Sequence, residues 1–351
     1  MRTGTPEKGT ISICFVNEAL VCVRANGMDQ SLLLSQAGIP LDLLGAPRAR
    51  VSSRQYGQLW RLIAKTLDDE FFGMDEHPMK AGSFALLCRT VIHSDSLEQA
   101  LHRALRFLRL ILDGLSGELV RDEKYARIIL HDKPTRAPGV FPAPKRAFTY
   151  GTFFVILHGL ACWLVNRRIP LLSASFRCPE PDYSAELRAF LSPNLEFLCQ
   201  TSAIAFDAEY LDMKIIQSER SMKEFLRDAP ANFLVKYRDS ASLTARIRQY
   251  LRETPPQEWP GLSALAGRYH LSAAALRRRL GGEGQSYRSI KNDMRRDIAI
   301  SLLTDTDQRI TDIAAALGFS ESSAFYRAFK NWTGIRPNEY RSASRDTTSH
   351  A

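Results

Sequence analysis

Two clusters of side chains in the last third of the chain have the chemistry to read a nucleic acid. One is Ala274, Arg277 and Arg278; the other is Ser322, Ser323, Tyr326, Arg327 and Lys330. An arginine fork can meet the O6 and N7 acceptors of guanine together, and a good bidentate pair contributes about 1–3 kcal/mol of discrimination. Ala274 could meet a thymine methyl. Ser323, Tyr326 and Arg327 are the candidate base readers of the second cluster, with Ser322 at its edge. Lys330 reads as a phosphate or surface lysine, and Arg279 as a flank residue facing phosphate or solvent. The run Ala273-Ala274-Ala275 gives the first cluster few hydrogen-bonding groups, so it would lean on arginine, methyl contacts and DNA shape.

Such side chains reach bases only if a helix presents them in a groove. Phe325, Ala328, Phe329 and Trp332 recur at the i, i+3, i+4, i+7 spacing of a buried stripe. At 100° per residue Ser323, Tyr326, Arg327 and Lys330 then lie opposite. Ser320 is the expected N-cap. Upstream, Ile310, Ile313, Ala314 and Leu317 form a short amphipathic helix closed by Gly318. A helix, a glycine turn and a helix with a basic outer face make a helix-turn-helix. The pattern also occurs about fifty residues earlier. There Leu262, Leu265 and Ala266 form the first helix, Ser272 is the cap, and Leu276 and Leu280 anchor the second. Ser286–Thr304 should be a long helix joining the two units, with Arg295 and Arg296 as a solvated face or an intramolecular pair.

The run Ile313-Ala314-x3-Gly318-Phe319-x3-Ser323-x-Phe325-x-Arg327-x-Phe329-Lys330-x3-Gly334-x2-Pro337-x2-Tyr340-Arg341 resembles the signature of AraC/XylS transcription regulators. Leu265-Ala266, Ser272, Leu276-x-Arg278-x-Leu280, Gly284-x-Ser286-Tyr287 and Arg295 agree with it in the first unit. The front two-thirds is similar, less sharply, to the ligand-binding-type N-terminal region of one subgroup. This resemblance implies DNA contact on the same helical faces. It also implies a sensor that couples a small-molecule effector to DNA binding or polymerase contact, and an activator rather than a repressor.

Charge follows the same division. Of a formal net charge of +9, residues 236–345 carry 19 Lys and Arg against 11 Asp and Glu, whereas the preceding part is nearly balanced. A basic domain beside a neutral one points to a polyanion partner for the C-terminal part alone. The six cysteines, Cys14, Cys22, Cys88, Cys162, Cys178 and Cys199, show no paired spacing, so buried free thiols are expected. Met1–Gly9 lacks the form of a secretory leader, and the apolar run Phe153–Val165 falls short of a span of roughly 20 residues. A reduced, cytoplasmic protein with no membrane contact is expected.

The front part should be α+β with a mixed or antiparallel sheet. Ser52 or Ser53 caps a helix bearing Tyr56, Leu59, Trp60, Ile63, Ala64 and Leu67. Gly82–Ile92 reads as a buried strand, and Asp95 with Glu98 as a capping box opening a long helix. Two strands flank a polar turn near 122–124, Pro134–Pro144 is a loop, and Lys145–Asn166 is a buried helix. No metal-binding, phosphate-loop or nucleophile-elbow motif stands out. His158, on an apolar stretch, reads as a satisfied core residue. No catalytic role, metal or cofactor is expected.

The expected organisation is an effector-sensing and dimerisation domain over 1–228, a linker over 229–241, an all-α tandem helix-turn-helix domain over 242–345 and a tail over 346–351. Its partners would be double-stranded promoter DNA, RNA polymerase, a small-molecule effector and a second copy of the chain. Two other readings stay open: a constitutive DNA-binding regulator whose front domain only dimerises, and an enzyme domain fused to a DNA-binding module.

Overall fold

The computed structural model describes residues 10–47, 49–133, 146–230, 243–282 and 285–346. The expected loop over 134–144, most of the expected linker and all but the first residue of the tail lie outside the described residues. The chain forms two compact units. Cys14–Ala37 and Ser53–Tyr237 build the first; Lys8–Ile13, Gly38–Ser52 and Arg238–Ala351 build the second. The contiguous C-terminal stretch is thus joined by two segments from the front of the sequence.

The first elements are strand β1 (Thr10–Ser12), helices α1 (Ile13–Ala19), α2 (Val21–Ala25) and α3 (Gln30–Gln36), and strand β2 (Arg50–Ser52). Helices α4 (Ser53–Leu67), α5 (Ser83–Val91) and α6 (Leu97–Ile111) follow, then strands β3 (Leu115–Arg121) and β4 (Tyr125–Asp132). Helix α7 (Arg146–Leu164) leads to β5 (Ser173–Ser175), α8 (Ser184–Phe190), β6 (Leu195–Glu196), β7 (Ser202–Asp207) and α9 (Glu219–Asp228).

The first unit contains a five-stranded sheet in the order β3-β4-β7-β5-β6, antiparallel except for the β5–β6 pair. Asp122 sets its hairpin: one carboxylate oxygen accepts the N–H groups of Lys124 and Tyr125 at 3.0 and 2.7 Å, an Asx turn. Buried residues on β4 alternate as Ala126, Ile128 and Leu130, the period of a strand with one face covered. Helix α7 is long and apolar enough to cross a membrane, yet it is almost wholly buried inside the protein. Its residues are core, with Phe154 and Phe176 stacked at 6.1 Å.

Two local expectations change. Gly82–Ile92 is the helix α5, not a strand, because Phe84, Leu87, Cys88 and Val91 are buried at i, i+3, i+4, i+7, a helical stripe. The N-cap of α6 is Ser96, one residue later than expected, and the reciprocal bond of a capping box is not made to it. Ser96 accepts from the Gln99 N–H at 3.3 Å, and the Gln99 side chain accepts from the Asp95 N–H at 2.9 Å.

Among the described residues the second unit is helical apart from a small ribbon in which β1 and β2 pair antiparallel, Ile11 opposite Val51. Its helices are α10 (Leu243–Glu253), α11 (Leu262–Arg268), α12 (Ala273–Gly282), α13 (Tyr287–Asp305), α14 (Ile310–Ala316), α15 (Ser322–Thr333) and α16 (Pro337–Asp346). The ribbon is tied to them by hydrogen bonds. Thr10 Oγ1 donates to Asp297 on α13 at 3.0 Å, and the buried Tyr340 hydroxyl on α16 donates to the Arg50 carbonyl at 2.9 Å. The Arg50 guanidinium in turn donates to the Thr10 carbonyl and hydroxyl at 3.0 and 2.9 Å.

Candidate nucleic-acid interface

Helices α11 and α12 form the first helix-turn-helix. Leu265, Ala266, Leu276 and Leu280 enter one buried cluster with Ile247, Trp259, Ile290 and Met294. Burying each large aliphatic side chain contributes roughly 1.5–3 kcal/mol, which fixes the helix rotation and leaves Ala274, Arg277, Arg278 and Arg279 exposed. Ser272 caps α12 as expected, its hydroxyl accepting the Ala275 N–H at 3.1 Å.

Helices α14 and α15 repeat the arrangement. Ile313, Ala314, Leu317, Phe325 and Phe329 are buried. Phe319 meets Phe325 at 5.6 Å and Trp332 at 6.2 Å, and Phe329 meets Tyr340 edge-on at 5.5 Å. Phe325, Phe329 and Tyr340 are buried with Phe319 and Trp332 half-buried against them, which leaves Ser323, Arg327 and Lys330 exposed and Ser322 and Tyr326 half-buried. Gly318 turns the chain with φ +76°. The N-cap of α15 is Glu321 rather than Ser320, and it makes no side-chain cap bond. Its carboxylate instead accepts from the Ser323 hydroxyl at 3.0 Å, and the Tyr326 hydroxyl donates to Asn338 at 2.7 Å. Among the described residues no acidic side chain pairs with Arg277, Arg278, Arg327 or Lys330. Four cations therefore face solvent without an internal counter-charge, whereas two of the expected hydroxyl readers already have partners.

Helix α13 carries the feature least legible in the sequence. The Arg295 guanidinium lies 5.5 Å from the Trp259 ring centre and 5.2 Å from that of Phe319. One ring precedes the first helix-turn-helix and the other lies in the turn of the second, so one cation bridges both. Burial lowers its pKa from the ordinary arginine value, and ring faces offset part of that cost. Arg296 pairs with Asp293 and Asp297, each at 3.3 Å. The intramolecular pairing expected for the arginines of this helix is thus present. Asp293 also meets the buried Arg248 at 3.4 Å.

In the first unit the His158 Nε2 lies 2.7 Å from the Ile169 carbonyl and 3.5 Å from Cys162 Sγ, a satisfied core histidine. Among the described residues no cluster of three or more His, Cys, Asp or Glu side chains is arranged to hold a metal ion.

The N-terminal arabinose-binding domain of AraC transcription regulators matches residues 27–215, more than half the chain, and a helix-turn-helix domain matches 265–343. The ornithine utilization regulator of Pseudomonas aeruginosa is 25% identical over 95% of this chain and 96% of its own. The regulator VqsM of the same organism is 33% identical over 30% of this chain and 32% of its own length. Among solved structures, the transcriptional regulator CdpR from Pseudomonas aeruginosa aligns at 19% identity over 75% of this chain and 82% of its own, with a TM-score of 0.29. Two helix-turn-helix units behind a matching N-terminal domain place this chain in the AraC family of DNA-binding transcription regulators.

Proposed function

We propose that the protein is a sequence-specific transcription activator controlled by a small molecule bound in its N-terminal unit. One observation carries the DNA side of this reading. Two recognition helices in one unit expose Arg277, Arg278, Arg327 and Lys330 with no internal counter-charge among the described residues. Arg277 and Arg278, with the Ala274 methyl, read bases in one major-groove segment. Arg327 reads the second, flanked by Ser322, Ser323 and Tyr326, while Lys330 holds phosphate. Ser323 and Tyr326 exchange their bonds to Glu321 and Asn338 for DNA, so their net gain is small. The N-terminal unit holds the effector and pairs two copies in the cytoplasm, and the bound protein contacts RNA polymerase. The ligand-binding type of the matched N-terminal domain supports the effector half.

The test is retention of duplex from upstream of the protein's own and neighbouring genes, against random competitor, over a salt series. A protected site that survives competition is expected. Arg327→Ala should weaken specific binding by about 5- to 150-fold, and non-specific binding much less. Equal loss on both duplexes would reassign Arg327 to phosphate, and salt-limited binding to every duplex alike would refute sequence-specific recognition.

A further inference from the structure

The N-terminal unit contains a cavity of about 220 Å³ between α4, α5, α7 and the end of α9. That is a little below the roughly 300–1,000 Å³ of most small-molecule sites. Trp60 and Ala64 line it from α4, Phe84 and Ala85 from α5, Ile156 from α7 and Leu226 from α9. The wall is aromatic and aliphatic, and three of its residues, Ala64, Ala85 and Ala229, are alanines whose small side chains leave the space open.

Two ionic side chains border the cavity, and both are already engaged. Glu70 accepts the Gly82 and Phe84 N–H groups, one on each carboxylate oxygen, both at 2.7 Å. Arg61 donates to the Arg227 carbonyl at 3.1 Å and to Gln58 at 2.9 Å. One positive and one negative group offset each other, so a charged guest would lose water without gaining a net counter-charge. Apolar cavities of this size bind apolar molecules such as benzene. Helix α9 matters for a second reason. Its last turn, together with Ala229 and Pro230, closes one side of the cavity, and the chain from there runs on to the DNA-binding unit, which resumes at Arg238. Arg61 fastens that same last turn to α4.

We propose that this cavity is the effector site, that it takes a compact, uncharged, largely apolar molecule, and that occupancy acts on DNA binding through the end of α9. The inference rests on the effector-controlled reading above. Differential packing of the occupant against α9 in two states of the protein would supply the coupling such control requires.

Three probes of one shape test it on the full chain: cyclohexanol, cyclohexanecarboxylate and cyclohexylamine. Cyclohexanol should raise the melting temperature saturably and change affinity for the specific duplex at least threefold. The two charged probes should bind at least tenfold more weakly. Ala64→Leu and Ala85→Leu fill the cavity from different helices, so a folding defect in one leaves the other to decide. Either should abolish the cyclohexanol shift. No saturable cyclohexanol binding, binding undiminished in a folded filled variant, tighter binding of a charged probe, or binding without effect on DNA affinity each overturns the proposal. A specific duplex still retained in those cases confines the failure to the cavity. Loss of preference for any duplex, with or without probe, refutes the regulator reading instead.

Discussion

Replacing Gly318 by alanine should damage the C-terminal unit far more than one added methyl suggests. The backbone there has φ +76°, and a Cβ would lie 3.0 Å from both Gln257 Cα and the Pro256 carbonyl oxygen. Both neighbours are backbone, so no rotamer change can relieve the contact. Left-handed geometry costs an L-residue about 1–2 kcal/mol, and forcing atoms into a filled space typically costs ~1–3 kcal/mol. The lower chain entropy of unfolded alanine returns about 0.4–1 kcal/mol. A net loss of roughly 1–5 kcal/mol follows, or about 4–20 °C in the melting of the C-terminal unit at ~4 °C per kcal/mol. Thermal melting of the full chain, followed by tryptophan fluorescence, reads this through Trp259 and Trp332 in that unit, while Trp60 and Trp163 report the first unit. Gly267→Ala is the control. That glycine lies in α11, and a Cβ added to it would meet nothing within 4 Å, so alanine there should stabilise by up to about 1 kcal/mol. The reasoning fails if Gly318→Ala melts like the unaltered chain or no lower than Gly267→Ala.

Arg295→Ala removes a cation held over two rings and should cost about 1–3 kcal/mol. It should also weaken specific DNA binding although Arg295 lies off the recognition faces, and unaltered stability and affinity would dismiss the bridge. Burial raises the carboxyl pKa of Asp297 against the pull of Arg296, Thr10 and Arg50. Its ionised form therefore penalises the fold at neutral pH, and the penalty fades as pH falls through the folded value towards ~3.9. Asp297→Asn should gain most over the parent in urea unfolding near pH 7 and less near pH 4; a pH-independent difference would exclude this titration. Cys88 is buried and its thiol is pushed up to about 12, so iodoacetamide at pH 8 should leave it unmodified while the chain is folded. Mass-spectrometric labelling of Cys88 at the rate of a free thiol would contradict that.

The DNA-binding helices were legible because each obeys one rule strictly. Phe325 and Phe329 share a stripe, Gly318 supplies the turn, and Arg327 is left outside. Elsewhere two rules competed. Residues 84–91 are apolar enough to read as a buried strand, and only the spacing of Phe84, Leu87, Cys88 and Val91 favours the helix that forms. Ser320 and Glu321 are adjacent polar residues, and the helix begins after the second of them with no side-chain cap bond to mark it. The place of Arg295 between Trp259 and Phe319 had no signal, since its partners are 36 and 24 residues away in the sequence. The cavity had none either, because its walls come from four helices whose apolar residues read as ordinary core.

The β1–β2 ribbon bears on how the protein is made. Its bonds to α13 and α16 join residues 287 and 290 positions apart. At a synthesis rate of about 5–20 residues per second, Thr10 and Arg50 wait on the order of 15–60 seconds before their partners exist. The ribbon is thus reserved for helices synthesised much later. During that interval two short strands with open edges are available to wrong partners. A C-terminal fragment lacking them omits part of the unit that carries the recognition helices.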